Sequence, residues 1–556
     1  MNYLRLNYFQ NALPSGATVA AVNIATDKTK LTEFTGGQSA YPVYLTLGNI
    51  PKALRRKPSK QACILIAYLP VETDLLKGTD LSKKDIGSRH QRLFHDAMRH
   101  ILAPLKDAGT HGVYMTGANG EVRRVFPLIA CYSADFPEQC LIACAKYGTC
   151  PRCQTAAKSL HNPTAGEPRT REWTLNTMKQ AQDTSQTLGQ YYKACMEKEV
   201  SGSVYEPFWK DFPYTDIHTA LTPDVLHQLY QGVIATLIDW CQTLLTAKEL
   251  DARVRALPPA FGVRHFKNGF SILSQISGPE RKHMARILLG CLVGKVEGNL
   301  LSAFRSLLDF LYLAQYKAHD DDTLEYLENA LKNWHDHKHL VIEMGLHPDL
   351  NIPKFHSLLH YVQSIRLFGT TDNYNTESYE RFHIDFAKEG WRASNKRDAF
   401  PQMIKWLSRR EKISMLDKSV DRKSHESDAT RSTALTQPRS LLIAKYPPYP
   451  RRGLALIENR HNSPYFSKHL KEFLNSFLRL PEKDRNSQQH PLPFDRLDVW
   501  TQFKFRRERS VDDSEADDSD TIKAIPRNSI QRHGQFDTVV ALRSDEAQST
   551  GVEGSN

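Results

Sequence analysis

Apolar and polar positions alternate with a strand period near the beginning of the chain. Three β-rich stretches, separated by Gly36-Gly37 and by Gly48-Asn49-Ile50-Pro51, cover residues 17–25, 41–47 and 61–71. A helical pattern follows over residues 91–103, and the apolar run at residues 125–131 predicts a buried fourth strand. The order β-β-β-α-β predicts an α+β fold and is typical of the opening of an RNase H-like core, although other α+β domains share it.

From about Thr170 the apolar positions recur with a helical period instead. Long amphipathic helices are predicted at residues 223–245, 278–293 and 300–318, and further helices at 375–389 and 400–411. Residues 418–439 are rich in Ser, Thr and charged residues without an apolar period, which predicts a linker. Beyond it, a small helical unit is predicted at residues 467–480, and the acidic run at residues 512–520 is expected to be flexible.

These patterns divide the chain into five parts. Residues 1–165 form the N-terminal part of the α+β core, and residues 166–365 form a large, mainly helical insertion. Residues 366–415 supply the C-terminal helices of the core. Residues 416–440 form the linker, and residues 441–556 form a C-terminal region with the small helical unit and the acidic tail.

Charge and cysteine content restrict the partners and the compartment. The 556 residues carry a formal net charge of +11, and the pI near 9.0 favours an anionic partner, nucleic acid first and an anionic membrane second. No apolar run approaches the roughly 20 residues that cross a bilayer, so no membrane span is predicted. The first ten residues lack the layout of a signal peptide, and the nine cysteines are irregularly spaced, which predicts an intracellular protein with reduced thiols.

Two aspartates follow predicted strands. Asp27 comes directly after the first strand, and Asp135 comes just after the fourth. In an RNase H-like sheet these two strands are neighbours, so the two carboxylates could share the paired metal ions that clamp a phosphodiester. The alternative is that each aspartate only forms a turn at the end of its strand.

A CxxC and an HxxxH motif have the spacing of metal ligands. Cys150 and Cys153 enclose Pro151-Arg152, and one helical turn separates His356 from His360. Two cysteines and two histidines complete a structural zinc site. The alternatives are a redox pair for the cysteines and surface or core positions for the histidines.

Two glutamates at the start of a predicted helix could supply a third carboxylate. Glu377 and Glu380 lie three residues apart and therefore on nearly the same helix face. The alternative is a solvated face whose acids complement the helix dipole.

Five motifs, in order, resemble the Plavaka family of fungal transposases, which are relatives of the CACTA (En/Spm) superfamily. They are Thr26-Asp27-Lys28-Thr29 with residues 41–52, Ala134-Asp135-Phe136-Pro137-Glu138 with the CxxC, residues 222–232, residues 375–383 and residues 534–538. Five separated motifs in the family's order are far more specific than any one of them. The resemblance extends from about Asn23 to Val540.

The resemblance implies an RNase H-like DDE core, interrupted by a helical insertion between the second Asp and the Glu. Asp27, Asp135 and Glu380 match the catalytic acids, with Glu377 as the fallback for the third, and two Mg²⁺ or Mn²⁺ ions are the implied cofactors. Related V(D)J recombinase and CACTA-type enzymes pair a CxxC with two later histidines, which implies structural Zn²⁺ at Cys150, Cys153, His356 and His360. Asp224 and His227 resemble an auxiliary D-x-x-H element, which could equally be a helix N-cap with a packed histidine.

The implied activity is metal-dependent DNA strand cleavage and strand transfer in the nucleus. The expected partner is double-stranded DNA, both transposon ends and target, and a homo-oligomer is expected because paired ends need two active sites. Phosphate contacts are predicted for two basic stretches, although each could be a solvated charged face: Lys52, Arg55, Arg56, Lys57 and Lys60, and Arg392, Lys396 and Arg397.

Only 26 residues precede Asp27, whereas family members usually begin well upstream with a region that recognises the element ends. The chain is therefore expected to be N-terminally truncated, which leaves its status as an active enzyme open. The alternative function is an inactive or domesticated transposase derivative that binds DNA or other proteins.

Overall fold

The computed structural model describes residues 13–32, 37–55, 60–71, 81–117, 119–260, 262–273, 276–427, 440–442, 444, 447–461, 463–477, 492, 494–506, 519–525 and 535–536. The chain divides into two compact units. The first comprises Met1–Lys423 and Ser510–Ser514, and the second comprises Ser424–Arg509 and Glu515–Asn556. None of the described helices is both long enough and apolar enough to cross a bilayer.

A five-stranded mixed sheet lies in the first unit. The strands of this unit are β1 (Thr18–Thr26), β2 (Thr29–Lys30), β3 (Ser39–Ala40), β4 (Pro42–Leu47), β5 (Cys63–Tyr68), β6 (Val113–Thr116) and β7 (Val122–Ser133). The order in the sheet is β5-β4-β1-β7-β6, and β2 and β3 form a separate hairpin. β1 is parallel to β7 and antiparallel to β4, while β4 and β5, and β6 and β7, pair antiparallel.

The four strands and the intervening helix predicted from the sequence are present in the predicted order. Edge strand β6 was not predicted, because its four residues are all exposed and too few to show a strand period. The predicted helix over residues 91–103 is longer in the structure, where α2 spans Lys83–His111. Ser82 caps its first turn by accepting the Asp85 N–H at 3.2 Å, and Gly112, with φ of 69°, ends it.

Helices contribute to the two largest hydrophobic cores among the described residues of this unit. After the short α1 (Lys52–Arg55) and α2, the helices are α3 (Phe136–Ile142), α4 (Arg171–Thr184), α5 (Leu188–Glu197), α6 (Ile217–Ala220), a π-helix (Val225–Ile234) that continues as α7 (Ala235–Leu245), α8 (Ala247–Ala256), α9 (Gly278–Leu292), α10 (Gly298–Leu313), α11 (Asp321–His337) and α12 (His339–Glu343). One core joins the sheet to α2–α5 and includes Ile24, Met98 and Trp209. The other lies among the later helices, where the Trp240 ring stacks on Phe304 and Trp334.

The chain then returns to the sheet through a series of helices that are short except for the last. They are α13 (Pro353–His356), a 3₁₀-helix (Ser357–His360), α14 (Tyr361–Phe368), a second 3₁₀-helix (Thr371–Asn373), α15 (Glu377–Phe382), a π-helix (His383–Lys388), α16 (Glu389–Ala393) and α17 (Ala399–Ser427). Helix α17 continues through the first ten residues of the predicted linker, and residues 428–439 of that linker lie outside the described residues. Charged residues such as Lys and Arg are good helix formers, so the lack of an apolar period did not end the helix.

The described residues of the second unit form two small sheets and two helices. Its elements are β8 (Ser440–Leu442), β9 (Tyr449–Gly453), α18 (Leu454–Arg460), α19 (Phe466–Phe477), β10 (Arg496–Val499), β11 (Gln502–Arg506), β12 (Ser519–Ile525) and β13 (Gln535–Phe536). β9 pairs with β10, and the other four strands have the order β13-β12-β11-β8. The helix predicted at residues 467–480 corresponds to α19, and residues 478–480 of that prediction lie outside the described residues. Most of the acidic run lies outside the described residues, but Asp520 belongs to β12, opposite Phe505.

Candidate functional site

Asp27 and Asp135 lie at the same end of the sheet, where the carboxyl ends of β1 and β7 are neighbours. β1 and β7 run parallel with Ala25 opposite Ser133, so the residues that follow the two strands emerge side by side. Asp135 is also the N-cap of α3, since its Oδ1 accepts the Glu138 N–H at 2.9 Å. Asp135 thus has a structural role as a helix cap, and its carboxylate keeps a second oxygen for other partners.

Glu380 belongs to the same electrostatic neighbourhood. Burial raises the pKa of Asp27 to about 7, and the negative charge of Glu380 is the next contribution, with smaller ones from Asp135 and Asp224. The positive charge of His227 opposes this shift. The three predicted acids, separated by as many as 353 residues in the chain, thus interact within one site.

Glu377 points to a different partner. Its carboxylate accepts hydrogen bonds from Lys282 Nζ at 2.7 and 2.8 Å and from Asn375 Nδ2 at 3.2 Å. The Glu377 side chain is only 9% exposed, so this ion pair is well enclosed. The two glutamates, on one face by spacing, therefore have separate surroundings in the structure.

Asp224 and His227 connect the helical insertion to Glu380. Asp224 caps the π-helix that begins at Val225, and its carboxylate accepts from His227 Nδ1 at 2.6 Å and from Thr376 Oγ1 at 2.7 Å. His227 Nε2 lies 3.2 Å from Glu380 Oε1. Burial alone would lower the pKa of His227, but the charges and hydrogen bonds of Asp224 and Glu380 raise it to about 11. His227 is therefore an imidazolium between two carboxylates, and Asp224 is both a cap and its partner.

The two predicted zinc-ligand pairs meet. The ligand atoms of Cys150, Cys153, His356 and His360 are buried and all lie within 4.8 Å of one another, and no second group of this kind occurs among the described residues. Cys150 Sγ and His360 Nε2, and Cys153 Sγ and His356 Nε2, are each 3.2 Å apart. A tetrahedral zinc with bonds of about 2.0–2.3 Å needs ligand atoms roughly 3.3–3.8 Å apart. The two 3.2 Å pairs lie just under that range, so shifts of a few tenths of an ångström would open the group to a tetrahedral site, and two thiolates with two imidazoles are ligands that zinc prefers.

Groups around the four ligands support the same interpretation. His356 Nδ1 bonds the Leu160 carbonyl at 3.1 Å, which leaves Nε2 facing the cysteines. The Arg152 N–H donates to Cys150 Sγ at 3.4 Å, and Arg169 Nε donates to both cysteine carbonyls at 2.9 and 3.0 Å. Burial lowers the pKa of His360 to about 4, which keeps it in the neutral, ligating form.

Comparison with known protein families identifies the first part of the chain. Residues 4–241 match the family model described as Plavaka transposase. The predicted Plavaka resemblance is confirmed. The Plavaka match includes Asp27, Asp135, the CxxC, Asp224 and His227, and it indicates a transposase function, with the DNA binding and divalent metal that such a function implies. Residues 463–554 match a domain of unknown function, DUF6830, and no curated protein matches the chain.

The basic residues predicted to contact DNA have different surroundings in the structure. Lys52 Nζ pairs with Asp372 at 3.0 Å, and Arg55 Nη2 donates to Asn373 Oδ1 at 2.8 Å, so these two cations hold the segment that precedes Glu380. Lys60 is exposed, as is the trio Arg392, Lys396 and Arg397. Arg56 and Lys57 lie outside the described residues.

Glu138 is a buried acid near the two aspartates for which the sequence patterns predict no role. Glu138 Oε1 accepts a hydrogen bond from Thr26 Oγ1, next to Asp27 in the chain. Burial, with smaller contributions from the charges of Asp135 and Asp27, raises the pKa of Glu138 to about 8. The sequence feature that could have identified Glu138 is its position three residues after Asp135, in the first turn of a helix.

His383 is a second residue of the site for which the sequence predicts no role of its own, although it lies in the motif at residues 375–383. Its Nε2 lies 3.9 Å from Asp27 Oδ2, and its side chain is 6% exposed. Burial lowers the pKa of His383 to about 4, so the ring is neutral. His383 follows Glu380 by three residues, a spacing that places both on one helix face.

Proposed function

We propose that the chain is the catalytic core of a DDE-type DNA transposase that cleaves and joins strands of double-stranded DNA. Asp27, Asp135 and Glu380 are the catalytic acids of this proposal, on an RNase H-like core interrupted by the helical residues 166–365. The observation that carries it is the electrostatic interaction of Asp27 with Glu380 and Asp135 at the edge where parallel β1 and β7 end. The Plavaka match over these strands supports the same function.

The donor set suits divalent cations of the Mg²⁺ class. Three carboxylates offer oxygen ligands only, which suits Mg²⁺ or Mn²⁺. Burial, followed by the negative charge of Glu380, raises the pKa of Asp27, and a divalent cation bound beside it would stabilise the ionised form. When bound, two Mg²⁺ or Mn²⁺ ions would activate the attacking hydroxyl and stabilise the leaving 3′-oxygen. Asp27, Asp135 and Glu380 would hold them, and the His227 imidazolium, fixed by Asp224, orients the Glu380 carboxylate from the other side.

Zinc at the Cys₂His₂ group has a structural role in this proposal. The cysteines follow α3, which Asp135 caps, while the histidines precede the segment that carries Glu380. A bound Zn²⁺ would tie these two segments together without taking part in the reaction.

Glu380 and Glu377 form a matched pair for testing the assignment. Purified protein is incubated with a labelled DNA duplex and Mg²⁺ or Mn²⁺, and cleavage is compared for wild type, Asp135→Asn, Glu380→Gln and Glu377→Gln. We expect Asp135→Asn and Glu380→Gln to lose cleavage while still binding DNA. Glu377→Gln weakens the ion pair with Lys282, costs about 1–3 kcal/mol of stability and keeps cleavage in the folded fraction.

Two results would change the conclusion. Cleavage by Glu380→Gln at the wild-type rate would remove Glu380 from the catalytic set. Salt-sensitive DNA binding by every protein, with no cleavage even by wild type, would instead favour the non-catalytic, domesticated scaffold. The nuclear location, the homo-oligomer and the five-part division of the chain belong to this proposal as further expectations.

A further inference from the structure

His383 directs a buried ring nitrogen at Asp27. Nε2 is 3.9 Å from Asp27 Oδ2, too far for a hydrogen bond, and among the described residues it has no hydrogen-bond partner. A buried polar atom without a partner costs free energy comparable to a lost hydrogen bond. Such an atom in an otherwise packed site points to a partner that reaches it in another state of the site.

Packing alone does not require a histidine here. The His383 ring lies beside Tyr44, with centroids 5.8 Å apart, in an aromatic cluster completed by Tyr379 and Phe382. A phenylalanine would fill this space and leave no polar atom unpaired. What the imidazole adds is one N–H group, on the side of the ring that faces the carboxylate.

The backbone conformation also places His383 close to the acids. It is the first residue of the π-helix His383–Lys388, directly after the short helix that carries Glu380. π-Helical segments are rare and are frequently found at functional sites. Glu380 therefore meets His227 while His383, one turn later, meets Asp27.

We propose that His383 is a positioning residue for Asp27, donating its Nε2–H to Oδ2 once the carboxylate turns to bind a divalent cation. The inference rests on the proposed function. An imidazole beside an anionic oxygen carries a proton on the facing nitrogen, whether the ring is neutral or protonated, since a lone pair there would be repelled. A movement of about 1 Å by the carboxylate would bring the pair to hydrogen-bond distance. Donors of this kind orient ligating carboxylates, and their loss typically weakens metal affinity about 10- to 100-fold.

Mn²⁺ binding to the full-length, zinc-loaded protein tests the role without relying on activity. Titration calorimetry is compared for wild type, His383→Phe, His383→Gln and Asp27→Asn, with thermal unfolding of each as a control. His383→Phe keeps the aromatic packing and removes the donor, so we expect about 10- to 100-fold weaker Mn²⁺ binding at a nearly unchanged melting temperature. His383→Gln places an amide N–H near the position of Nε2 and should restore most of the affinity.

The outcomes separate this inference from the proposed function. If Asp27→Asn abolishes Mn²⁺ binding but His383→Phe binds like wild type, His383 is only a packing residue and the inference is overturned. If Asp27→Asn has the wild-type isotherm, no Mn²⁺ binds at the acids, and the proposed metal site fails together with the inference. Should His383→Phe not fold, His383→Asn replaces it, because its shorter amide does not reach Asp27. Equal affinity of the Asn and Gln variants would then overturn the role.

Discussion

Replacing Asp27 by Asn should stabilise the metal-free protein while it removes the proposed activity. The folded state raises the pKa of Asp27 from 3.8 to about 7, mainly through burial and then through the charge of Glu380. The folded protein therefore holds this proton more tightly than the unfolded chain does. Its contribution to stability is complete below pH 3.8 and is lost as the pH rises through about 7. An asparagine carries no charge at any of these pH values, so the Asp27→Asn variant does not lose this contribution to stability as the pH rises.

The magnitude follows from the two pKa values. Each pKa unit corresponds to about 1.4 kcal/mol, so ionised Asp27 costs on the order of 4 kcal/mol at pH 8, where both states are ionised. At about pH 5.5 only the unfolded chain is ionised, and the cost is on the order of 2 kcal/mol. The Asp27 side chain is 24% exposed, so solvent screens this cost only in part. We expect the advantage of Asp27→Asn to grow by about 2 kcal/mol between the two pH values.

Urea unfolding in Mg²⁺-free buffer, followed by tryptophan fluorescence at both pH values, measures this difference. Asp183→Asn, which removes an exposed carboxylate in α4, is the matched control and should leave stability within about 0.5 kcal/mol of wild type. Excess Mg²⁺ should stabilise wild type but not Asp27→Asn, because binding to the native state adds stability only where a site exists. The reasoning is refuted if Asp27→Asn is no more stable than wild type at pH 8, or if its advantage is the same at pH 5.5.

Three further substitutions test the surrounding structure. Cys153→Ser should lose one zinc per chain by metal analysis and lower the melting temperature, whereas Cys241→Ser, outside the metal group, should keep the zinc. Asp224→Asn leaves the partly buried His227 imidazolium without its closest partner, so the free energy of unfolding should fall by about 1.5–3 kcal/mol in urea titrations, and a change below about 1 kcal/mol would contradict the pairing. Replacing Arg392, Lys396 and Arg397 together by Ala should reduce the slope of log DNA affinity against log salt by about 2–3, and an unchanged slope would exclude these residues from the DNA interface.

Local sequence patterns were sufficient to predict those features that lie within a single helix, strand or loop. The strands β1, β4, β5 and β7 are long enough to show their apolar positions, and the CxxC and HxxxH spacings each lie within a single turn or loop. The Asp224 and His227 pair needed the family resemblance, because three-residue spacing after a proline is equally typical of an ordinary cap. Glu138 and His383 were not predicted as site residues, because a spacing of three residues from an acid is the same whether the glutamate or histidine is buried or exposed.

Interactions between distant segments could not be predicted from local patterns. Lys52 and Arg55 lie in a basic stretch that resembles a phosphate-binding cluster, yet both contact residues about 320 positions later. The separate surroundings of Glu377 and Glu380 depend likewise on Lys282 and His227, which come from other helices. A charge pattern alone therefore does not separate a cation that binds DNA from one that holds the protein together.

These long-range contacts explain how the third acid reaches the first two. The chain between Asp135 and Glu380 is 245 residues long, and closing a flexible loop of that length costs about 5 kcal/mol in chain entropy. Polar contacts that could offset this cost gather on the few residues just before Glu380. Ser133 Oγ donates to the Tyr374 carbonyl at 2.8 Å, Thr376 Oγ1 donates to Asp224, and Lys52 and Arg55 hold Asp372 and Asn373. Each net hydrogen bond contributes about 1 kcal/mol, and the contacts of Ser133, Lys52 and Arg55 join the two ends of this segment. Together with the Cys₂His₂ group, whose cysteines follow Asp135 and whose histidines precede Glu380, they offset most of the cost of bringing Glu380 to the two aspartates.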